Sequence, residues 1–579
     1  MSRRSRIYSV LFFDNTDALF LTSGDVCVTI MDGNDSFILP SPEGLYIYII
    51  RSEYMNTEQI NSGDKPQNKK YTAANSLINY YLAIMFTFFP LFLTDQYAHA
   101  RTDKFWLFVI LTAVTVVAVG ICRGIEISEA KRIGEKQSFL LPLSVTDIFM
   151  LCFVGFAAIS TIISQHPYEA FFAFGCRDNG LFLLIFYMLM YFAVTRNYFR
   201  KDYVFVGYLI ASCIVALLTV LNFYYIDPLN IMAGYDEETI LDFGSTIGNK
   251  NIIATYMCVF LPVAVGLFVV SEKRFMRILS GIAIVFAYTG LICADSTSDI
   301  LGLAVILPVM LIFFSRSFGY LKRYLLALTI AFASGKLLQI FSMFDLRDKG
   351  FEFMQSFLIN SPLIYILIAV CGGGWLLMCF IGKNGEPAYP AKLMQGIFIA
   401  LFAAAVITAV GAFIYYSFID LESDIGEFEK LLRFDDYWGT HRGFMWRVSM
   451  EEYGRFDILH RFFGSGPDTL YYVFEPHFAE LSERFGDGST DCAHNEFINY
   501  LVTQGALGLV SYIGMMGSAI ISGLKTAKKE PITLVFISAV ICYLAQSVVN
   551  LYNPIVTPYL FIFLALTEAM TRNRKAKNI

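Results

Sequence analysis

The chain has 579 residues, of which 56% are hydrophobic and only 16% are charged, and its formal net charge at pH 7 is −6. Soluble domains carry about a quarter charged residues, so this composition excludes a soluble globular protein and indicates an integral membrane protein. Since no basic domain stands out, we predict no nucleic-acid partner. The 11 cysteines lack the spacing of a metal or redox site, and we expect those in apolar runs to act as small hydrophobic side chains.

The first 54 residues do not fit a membrane span. The stretch RIYSVLFFDNTDALFL is too short and too interrupted to cross a bilayer, and no signal-peptide cleavage site follows it. We interpret residues 1–54 as a small β-prone or disordered piece. Met55 then opens the polar stretch MNTEQINSGDKPQNKKYTAANS, which is typical of a cytoplasmic leader. We hypothesise that translation starts at Met55 and that residues 1–73 form a cytoplasmic N-terminal segment.

The rest of the chain is a series of long apolar runs. A bilayer core needs roughly 20 apolar residues per helix, and on this criterion the sequence predicts about fourteen transmembrane helices, with about twelve as the lower count. The fold class is therefore an all-α polytopic membrane protein with eleven helices in residues 74–417 and three in residues 494–570. The predicted spans are 74–94, 104–122, 141–163, 179–195, 202–225, 251–270, 275–293, 299–315, 321–341, 357–381, 393–417, 495–522, 531–550 and 554–570.

Lysine and arginine collect in every second connection, which sets the orientation of the helices. Cytoplasmic loops of membrane proteins are enriched in these residues. Both termini, including the basic tail 571–579, are therefore predicted to be cytoplasmic. The basic connections contain Lys131, Arg132, Lys136, Arg196, Arg200, Lys201, Lys273, Arg274, Arg277, Arg316, Lys322, Arg323, Lys383, Lys392, Lys525, Lys528 and Lys529.

One connection is much longer than the others. Residues 418–493 form a polar stretch on the predicted extracytoplasmic side, and loops of this length are usually functional or disordered. Disorder is not expected here, because the loop holds Trp438 and Trp446 among many other aromatic residues. Its segment GTHRGFMWRVSMEEYGRFDILHRFFG predicts an amphipathic helix, and FGSGPDTL predicts a break followed by a helix start. We therefore expect a large, partly helical extracytoplasmic loop.

Several motifs together resemble the O-antigen ligase and O-antigen polymerase (Wzy) family of bacterial membrane glycosyltransferases. These are GNKNIIATYMCVFLP at 248–262, HRGFMW followed by FFGSGPDTL, FAFGCRDNGLFLL, and HNEFINYLVTQGALGL with His494, Asn495, Gly505 and Gly508. They cover roughly residues 165–510 in the order typical of that family. The histidine motif beside a large external loop is fairly specific, whereas each of the other motifs is weak alone.

The chain departs from that family at one position. Many members carry a Ser-Arg pair at the outer end of a middle helix, and this chain has Ser298 and Asp299 there, in ADSTSDILGL. A basic contact to substrate phosphate is thus either missing or supplied elsewhere. Lys336 is a candidate to supply it, although a lysine that simply extends its ammonium group to the membrane surface is the favoured interpretation.

The resemblance implies glycosyl transfer from a polyprenyl-diphosphate-linked saccharide to an acceptor hydroxyl, outside the bacterial cytoplasmic membrane, in cell-surface polysaccharide assembly. The diphosphate must be held by cations, and arginine binds phosphate oxygens bidentately. Arg442 is the first candidate, followed by Arg177 and Arg447. His494 is the predicted general base, because an imidazole is largely neutral at physiological pH. Direct displacement would invert the anomeric centre.

The remaining predictions concern the surroundings of His494. Asn495 is expected either to orient substrate or to cap the following helix, and Gly505 and Gly508 to allow close helix packing. The sequence leaves open whether Cys176 and Cys492 form a disulfide. No acidic pair with cation spacing is evident, so we predict no metal and no other cofactor. The predicted partners are the lipid-linked donor, membrane lipids and a glycan, lipid or protein acceptor.

Two other classes of protein share some of these features. A lipid-linked oligosaccharide flippase also suits about fourteen helices, but the single large external loop and the lack of visible repeats disfavour it. A polymerase of the shape, elongation, division and sporulation type uses similar substrates but typically depends on a loop carboxylate. Within the favoured class, the sequence does not separate a polymerase, which joins repeat units, from a ligase, which passes the finished glycan to another acceptor.

Overall fold

The computed structural model of the chain describes five short strands between residues 7 and 50, and residues 72–134, 142–173, 177–342, 350–486 and 488–577. It divides into two units, Met1–Lys69 and Lys70–Ile579. The first unit contains a sheet of strand order β1-β2-β3-β5-β4, in which β3 and β5 are parallel and the other pairs are antiparallel. Its strands are β1 Ile7–Phe13, β2 Asp17–Thr22, β3 Val28–Met31, β4 Ser36–Leu39 and β5 Ile47–Ile50.

The sheet agrees with the β-prone composition of residues 1–54. Met55, the predicted translation start, lies outside the described residues, and the cytoplasmic placement of residues 1–73 stays a prediction.

The second unit is helical. Long apolar runs form helices because a chain in a hydrocarbon environment must satisfy its own backbone hydrogen bonds. Up to the long loop, the elements are α1 Ala73–Leu91, α2 Ala100–Arg132, α3 Val145–Ile163, α4 Pro167–Phe172, α5 Leu181–Asn197, α6 Asp202–Phe223, α7 Glu237–Asp242, β6 Phe243–Gly244, β7 Gly248–Asn249, α8 Lys250–Val270, α9 Arg274–Cys293, α10 Thr297–Phe314, α11 Phe318–Ser342, α12 Phe353–Asn360, α13 Pro362–Ile381 and α14 Ala391–Phe418.

In the part of the long loop that the structure describes there are five α-helices, and three further α-helices follow the loop. The loop helices are α15 Glu429–Leu432, α16 Trp438–Arg455, α17 Ile458–Phe463, α18 Leu470–Phe474 and α19 Phe478–Phe485. The last three helices are α20 Glu496–Thr526, α21 Ile532–Gln546 and α22 Thr557–Lys577.

Among the described residues, 11 helices are long and apolar enough to cross a membrane, and α5 and α21 are shorter apolar helices. The chain is therefore a helical polytopic membrane protein. A helix lies at each of the predicted spans, and the number that actually cross the membrane stays a prediction. The eleven are α1, α2, α3, α6, α8, α9, α10, α11, α13, α14 and α20.

The bundle is built around α8, the most enclosed of these helices, which packs against α9 and α21. Helix α20 packs along α3, and α22 contacts α5, α20 and α21. The long loop has a smaller apolar core of its own, which includes Phe444, Val448, Leu470 and Leu481 together with Ala493 and Val502. Because Ala493 precedes α20 and Val502 lies within it, the loop is packed onto the start of that helix.

The structure divides two helices that the sequence predicts as continuous. The span 357–381 is divided into α12 and α13 at Ser361, whose backbone is extended at ψ 136°. Pro362 follows, and a residue that precedes proline is disfavoured in helical conformation. The amphipathic helix predicted in the loop is also divided. Helix α16 is interrupted by left-handed residues at Gly439, Thr440 and His441, and a separate helix α17 begins after Asp457, whose side chain caps it.

Candidate functional site

His494 lies in the short extended segment that joins the loop to α20. The segment is held from both sides at Ala493, whose N–H donates to Asn499 Oδ1 at 3.1 Å and whose carbonyl accepts from Trp446 Nε1 at 2.9 Å. Asn499 in turn donates to the hydroxyl of Tyr552 at 2.6 Å. The segment is therefore fixed between α16 and α20. His494 has a left-handed backbone with φ 48°, and its Nδ1 atom is buried without a hydrogen-bond partner among the described residues.

Arg177 reaches the same segment from the turn before α5. Its Nε and Nη2 atoms donate to Asp491 Oδ1 at 2.9 and 2.6 Å. Asp491 lies three positions before His494 in the sequence, so this ion pair, in which one carboxylate oxygen accepts both N–H groups, brings the guanidinium of Arg177 close to the histidine. The side chains of Arg177 and Asp491 are 23% and 26% exposed, so water or a ligand can reach the pair.

Asp468 fixes the turn that carries Arg177. Its Oδ2 atom accepts the backbone N–H groups of Arg177 at 3.0 Å and of Asn179 at 3.2 Å. Its side chain is only 2% exposed, and burial raises the pKa of this carboxyl to about 7, which the two N–H donors oppose. The contact ties the long loop to a segment that is distant in sequence. Asp468 is thus a positioning residue for Arg177.

Arg442 stands at the start of the regular part of α16. The preceding left-handed residues turn the chain so that the Gly439 carbonyl accepts from Arg442 Nη1 at 2.9 Å. Gly443 is required at the next position, because a Cβ there would lie 1.8 Å from the Asp435 carbonyl oxygen. Arg442 is 8% exposed, and its Nε is buried without a hydrogen-bond partner among the described residues. Burial lowers the pKa of this guanidinium, so an anion beside it would be stabilising.

His494, Arg177 and Arg442 form one electrostatic site. Burial holds the pKa of His494 well below its usual range, and the positive charges of Arg177 and Arg442 lower it further. The contacts of neighbouring residues bring the three together, since Arg177 binds Asp491 just before His494, and Trp446, one turn after Arg442, bonds to the carbonyl of Ala493. The site combines a neutral imidazole that can accept a proton with two guanidinium groups that favour an anion.

Two other predicted cations have partners elsewhere. Arg447 donates to Asp436 at 2.9 Å, to Glu451 at 3.0 Å and to Glu480 at 3.3 Å. The bond to Glu480 joins α16 to α19. This guanidinium is occupied by carboxylates. Lys336 on α11 donates to the Ile359 carbonyl and lies 4.1 Å from the centre of the Tyr365 ring. The structure places its ammonium group against α12 and α13, without a contact to His494, Arg177 or Arg442 among the described residues.

Asn495 adopts the capping role, one of its two predicted roles. Its Oδ1 accepts the N–H groups of Phe497 and Ile498, each at 3.0 Å, at the start of α20. Gly505 does more than allow packing. It has φ 70° inside α20, and a Cβ there would lie 2.3 Å from the backbone of Phe462. The turn Gly464–Gly466 bonds to the same break, since the N–H groups of Ser465 and Gly466 donate to the carbonyls of Val502 and Thr503.

Among the described residues, neither Ser298 nor Asp299 bonds to His494, Arg177 or Arg442. Ser298 belongs to a buried polar network in which Asn550 Nδ2 donates to the Asn251 carbonyl at 3.0 Å, to Thr255 Oγ1 at 3.1 Å and to Ser298 Oγ at 3.3 Å. The side chain of Asp299 is fully buried. The GNKN motif contributes to this network and to the helix start, because Asn249 Oδ1 accepts the N–H of Asn251 at 2.9 Å and caps α8.

Sequence reasoning missed three residues that build the site, namely Asp468, Asp491 and Asn499. Asp468 lies in FGSGPDTL, which by itself predicts only a break and a helix start, and its partner Arg177 is 291 positions away. Cys492 is buried, whereas Cys176 lies outside the described residues, so their pairing stays open. Within the described ranges no group of three or more His, Cys, Asp or Glu residues could hold a metal ion.

No protein-family model matches the chain, and no curated protein matches it. The function is therefore inferred from the residues of the site and from their arrangement.

Proposed function

We propose that the protein is a membrane glycosyltransferase that moves a glycan from a polyprenyl-diphosphate donor to an acceptor hydroxyl, as an O-antigen ligase or a Wzy-type polymerase does. The observation that carries the proposal is the convergence of His494, Arg177 and Arg442. Each was selected from the sequence for one part of this reaction, and they come from three separate segments of the chain. Arg447 pairs with Asp436, and Lys336 donates to the Ile359 carbonyl. Such a partner does not exclude a role in binding, since Arg177 is itself paired with Asp491, so the part of Arg447 and Lys336 in substrate binding stays a prediction.

In the proposed reaction, the two guanidinium groups bind the donor diphosphate. The acceptor oxygen forms a bond with the anomeric carbon while the bond from that carbon to the diphosphate oxygen breaks. The proton of the acceptor hydroxyl moves to the imidazole of His494. Negative charge grows on the leaving diphosphate, and Arg177 and Arg442 stabilise it more strongly in the transition state than in the bound donor. Attack opposite the leaving group inverts the anomeric centre, and no step requires a metal.

The neutral imidazole suits this role. A base must be unprotonated before it can accept the hydroxyl proton, and the lowered pKa of His494 keeps it so. The unpaired Nε of Arg442 supplies a buried donor for a phosphate oxygen. The membrane placement completes the proposal, with about fourteen crossings, both termini in the cytoplasm, and the site at the extracytoplasmic face of a bacterial cytoplasmic membrane.

The test is the surface glycan made by cells that carry His494→Ala or Arg442→Ala at normal protein levels. Matched controls are His460→Ala and Arg455→Ala, which lie in the same loop and pair with Asp457 and Glu452. We expect both site variants to lose the product and both controls to keep it. Single-unit chains would indicate a polymerase, and unattached lipid-linked polymer a ligase. Normal glycan in both site variants would refute the assignment.

The alternative of a lipid-linked oligosaccharide flippase gives a different result. A transporter would leave its lipid-linked units on the cytoplasmic face when the gene is deleted. A glycosyltransferase would leave them on the outer face, where they are open to an added glycosidase.

A further inference from the structure

Helix α14 is the least enclosed of the candidate spans. Its apolar stretch has a mean hydropathy of 2.7, the highest among them, and none of that stretch is buried. Among the described residues it is held near its two ends. Gln395 Nε2 donates to the Ile312 carbonyl at 3.1 Å near one end, and Ser417 Oγ donates to the Leu432 carbonyl at 2.8 Å near the other. An apolar helix face is thus open along the middle of α14.

A continuous row of aromatic rings leads from the second end of α14 into the long loop. The Phe413 ring centre lies 6.2 Å from that of Phe434 and 6.3 Å from that of Trp438. Trp438 lies 5.1 Å from Trp446, and Phe434 lies 5.9 Å from Trp446. We call Phe413, Phe434, Trp438 and Trp446 the aromatic row. All four side chains are half-buried, so each still presents apolar surface.

The aromatic row ends at the candidate site. Trp446 Nε1 bonds to the carbonyl of Ala493, the residue before His494. Trp438 is followed by Gly439, whose carbonyl accepts from Arg442. The row therefore connects the open face of α14 to the cationic centre, with apolar rings at one end and guanidinium groups at the other. An amphiphile with an anionic head and a long apolar chain has the same polarity along its length.

We propose that the aromatic row binds the isoprene units next to the diphosphate of the lipid donor and directs the rest of the chain onto the open face of α14. This inference rests on the proposed function. With the diphosphate between Arg177 and Arg442, the chain must return to the bilayer without exposing its apolar surface to water. Aromatic side chains with one face free suit that boundary, because they are enriched where an apolar environment meets a wet one. The occupant in this proposal is a polyprenyl diphosphate, whose head carries two linked phosphate groups for the two guanidinium groups, whereas an ordinary membrane phospholipid carries one.

Tryptophan fluorescence in the full chain tests the inference without an activity assay. The chain has 4 tryptophans, and replacement of Trp106 and Trp375 by Phe leaves Trp438 and Trp446 as reporters. The probe is undecaprenyl diphosphate with a nitroxide quencher on an isoprene unit near the diphosphate, added to protein in nanodiscs. We expect saturable quenching that unlabelled undecaprenyl diphosphate reverses. A phospholipid labelled at a similar depth should give weak quenching that undecaprenyl diphosphate does not reverse.

Substitutions then locate the binding surface. Phe413→Ala should weaken the affinity for unlabelled undecaprenyl diphosphate by about tenfold, the upper range for loss of one aromatic contact. The matched control is Phe418→Ala, on the same helix but outside the row and exposed, which should leave the affinity unchanged. Phe434→Ala provides a second variant in case the first one does not fold.

The outcomes separate the inference from the proposed function. If undecaprenyl diphosphate binds and Arg442→Ala weakens it, but the reporters are not quenched and the row variants have no effect, the inference is wrong and the proposed function stands. Equal quenching by the labelled phospholipid also overturns the inference. If neither undecaprenyl diphosphate nor inorganic pyrophosphate binds to well-folded protein, the proposed function itself fails.

Discussion

At the scale of single residues, the account depends on how the protein controls the protonation of His494. The imidazole is held in a left-handed turn, with a buried Nδ1 and two arginines close enough to act on it. Burial and positive charge both oppose the imidazolium form. The imidazole is therefore neutral at neutral pH, which is the form that a general base must have before it can take up a proton.

We predict that His494 titrates below the ordinary histidine pKa of about 6.5, and that Arg442→Gln moves its pKa back towards that value. The substitution removes one positive charge and leaves the burial largely unchanged. The pH dependence of modification by diethyl pyrocarbonate, followed by peptide mass spectrometry, measures this because the reagent attacks neutral imidazole. His460 serves as the internal reference for reagent activity. A pKa of His494 above the ordinary value, or one that the substitution lowers, would contradict the electrostatic account.

Asp468 gives a second prediction, on stability. Its pKa is raised to about 7 by burial, against about 3.9 in an unfolded chain. Between these values the folded protein keeps a proton that the unfolded chain has lost, so stability from this group is present at low pH and is lost as the pH rises through about 7. Asp468→Asn removes this dependence. The Tm of the variant minus that of the wild type should therefore rise between about pH 5 and pH 8.

The control for that measurement is Glu475→Gln, an exposed carboxylate in the same loop, for which the difference in Tm should stay constant. A pH-independent difference for Asp468→Asn would show that this carboxyl titrates in the folded protein as it does in the unfolded chain.

The residues of the site were predictable to different degrees. His494, Arg177 and Arg442 could be selected because their chemistry and motif context stand in the sequence. The sequence ranks Arg442 ahead of Arg447, but it does not show how differently the two are surrounded, since they lie only five positions apart in one predicted helix. What separates them is the set of carboxylates that surrounds Arg447, which includes Glu480 on α19. No periodicity in the sequence encodes that contact.

At the scale of elements, the break in α20 positions the site. Gly505 has a left-handed φ of 70°, and the Gly464–Gly466 turn donates to the carbonyls that the break leaves open. We predict that Gly505→Ala lowers stability by more than about 1 kcal/mol, because the backbone conformation and the contact with Phe462 are both incompatible with a Cβ. Thermal unfolding of the purified protein in detergent measures this.

Gly517→Ala is the matched control on the same helix. A Cβ there meets nothing within 4 Å, and an alanine in a helix interior is favoured over glycine by about 0.5–1 kcal/mol. The control should therefore unfold at the wild-type temperature or above it. Equal behaviour of the two variants would mean that the break at Gly505 is not needed for the fold.

The helices were predictable and their interruptions were not. Hydrophobic runs locate helices because membrane burial requires them. Thr440 in α16 is left-handed although a β-branched residue seldom adopts that conformation, so its local propensity does not predict the break. Packing of Gly443 against Asp435 overrides that propensity. The division at Ser361 could have been anticipated from the proline that follows.

At the scale of the whole molecule, two charged clusters lie at opposite ends of α5. Arg177 and Asp491 meet just before its first residue, whereas Arg196 near its last residue bonds to Asp147 at 2.9 Å. Arg572 of α22 also bonds to Asp147. A helix of 17 residues is roughly 25 Å long, so α5 separates the two clusters by about that distance.

We predict that the long loop is outside the cytoplasm and that the connection between α20 and α21 is inside it. In a chain whose native cysteines are replaced, Gly488→Cys should react with a membrane-impermeant maleimide in intact cells. Lys528→Cys should react only after permeabilisation. Both positions are exposed, so access depends on the side of the membrane. The opposite pattern would place the site in the cytoplasm and remove the proposed function.

The central claim is that His494 accepts the proton of an acceptor hydroxyl while a lipid diphosphate leaves. The most direct test is a transfer assay with purified protein in nanodiscs and an undecaprenyl-diphosphate-linked saccharide as donor. The assay measures the release of undecaprenyl diphosphate and the anomeric configuration of the product. We predict an inverted product from the wild type and from His460→Ala, and a rate at least about 100-fold lower for His494→Ala. Transfer by His494→Ala at the wild-type rate, or a product with retained configuration, would contradict the account.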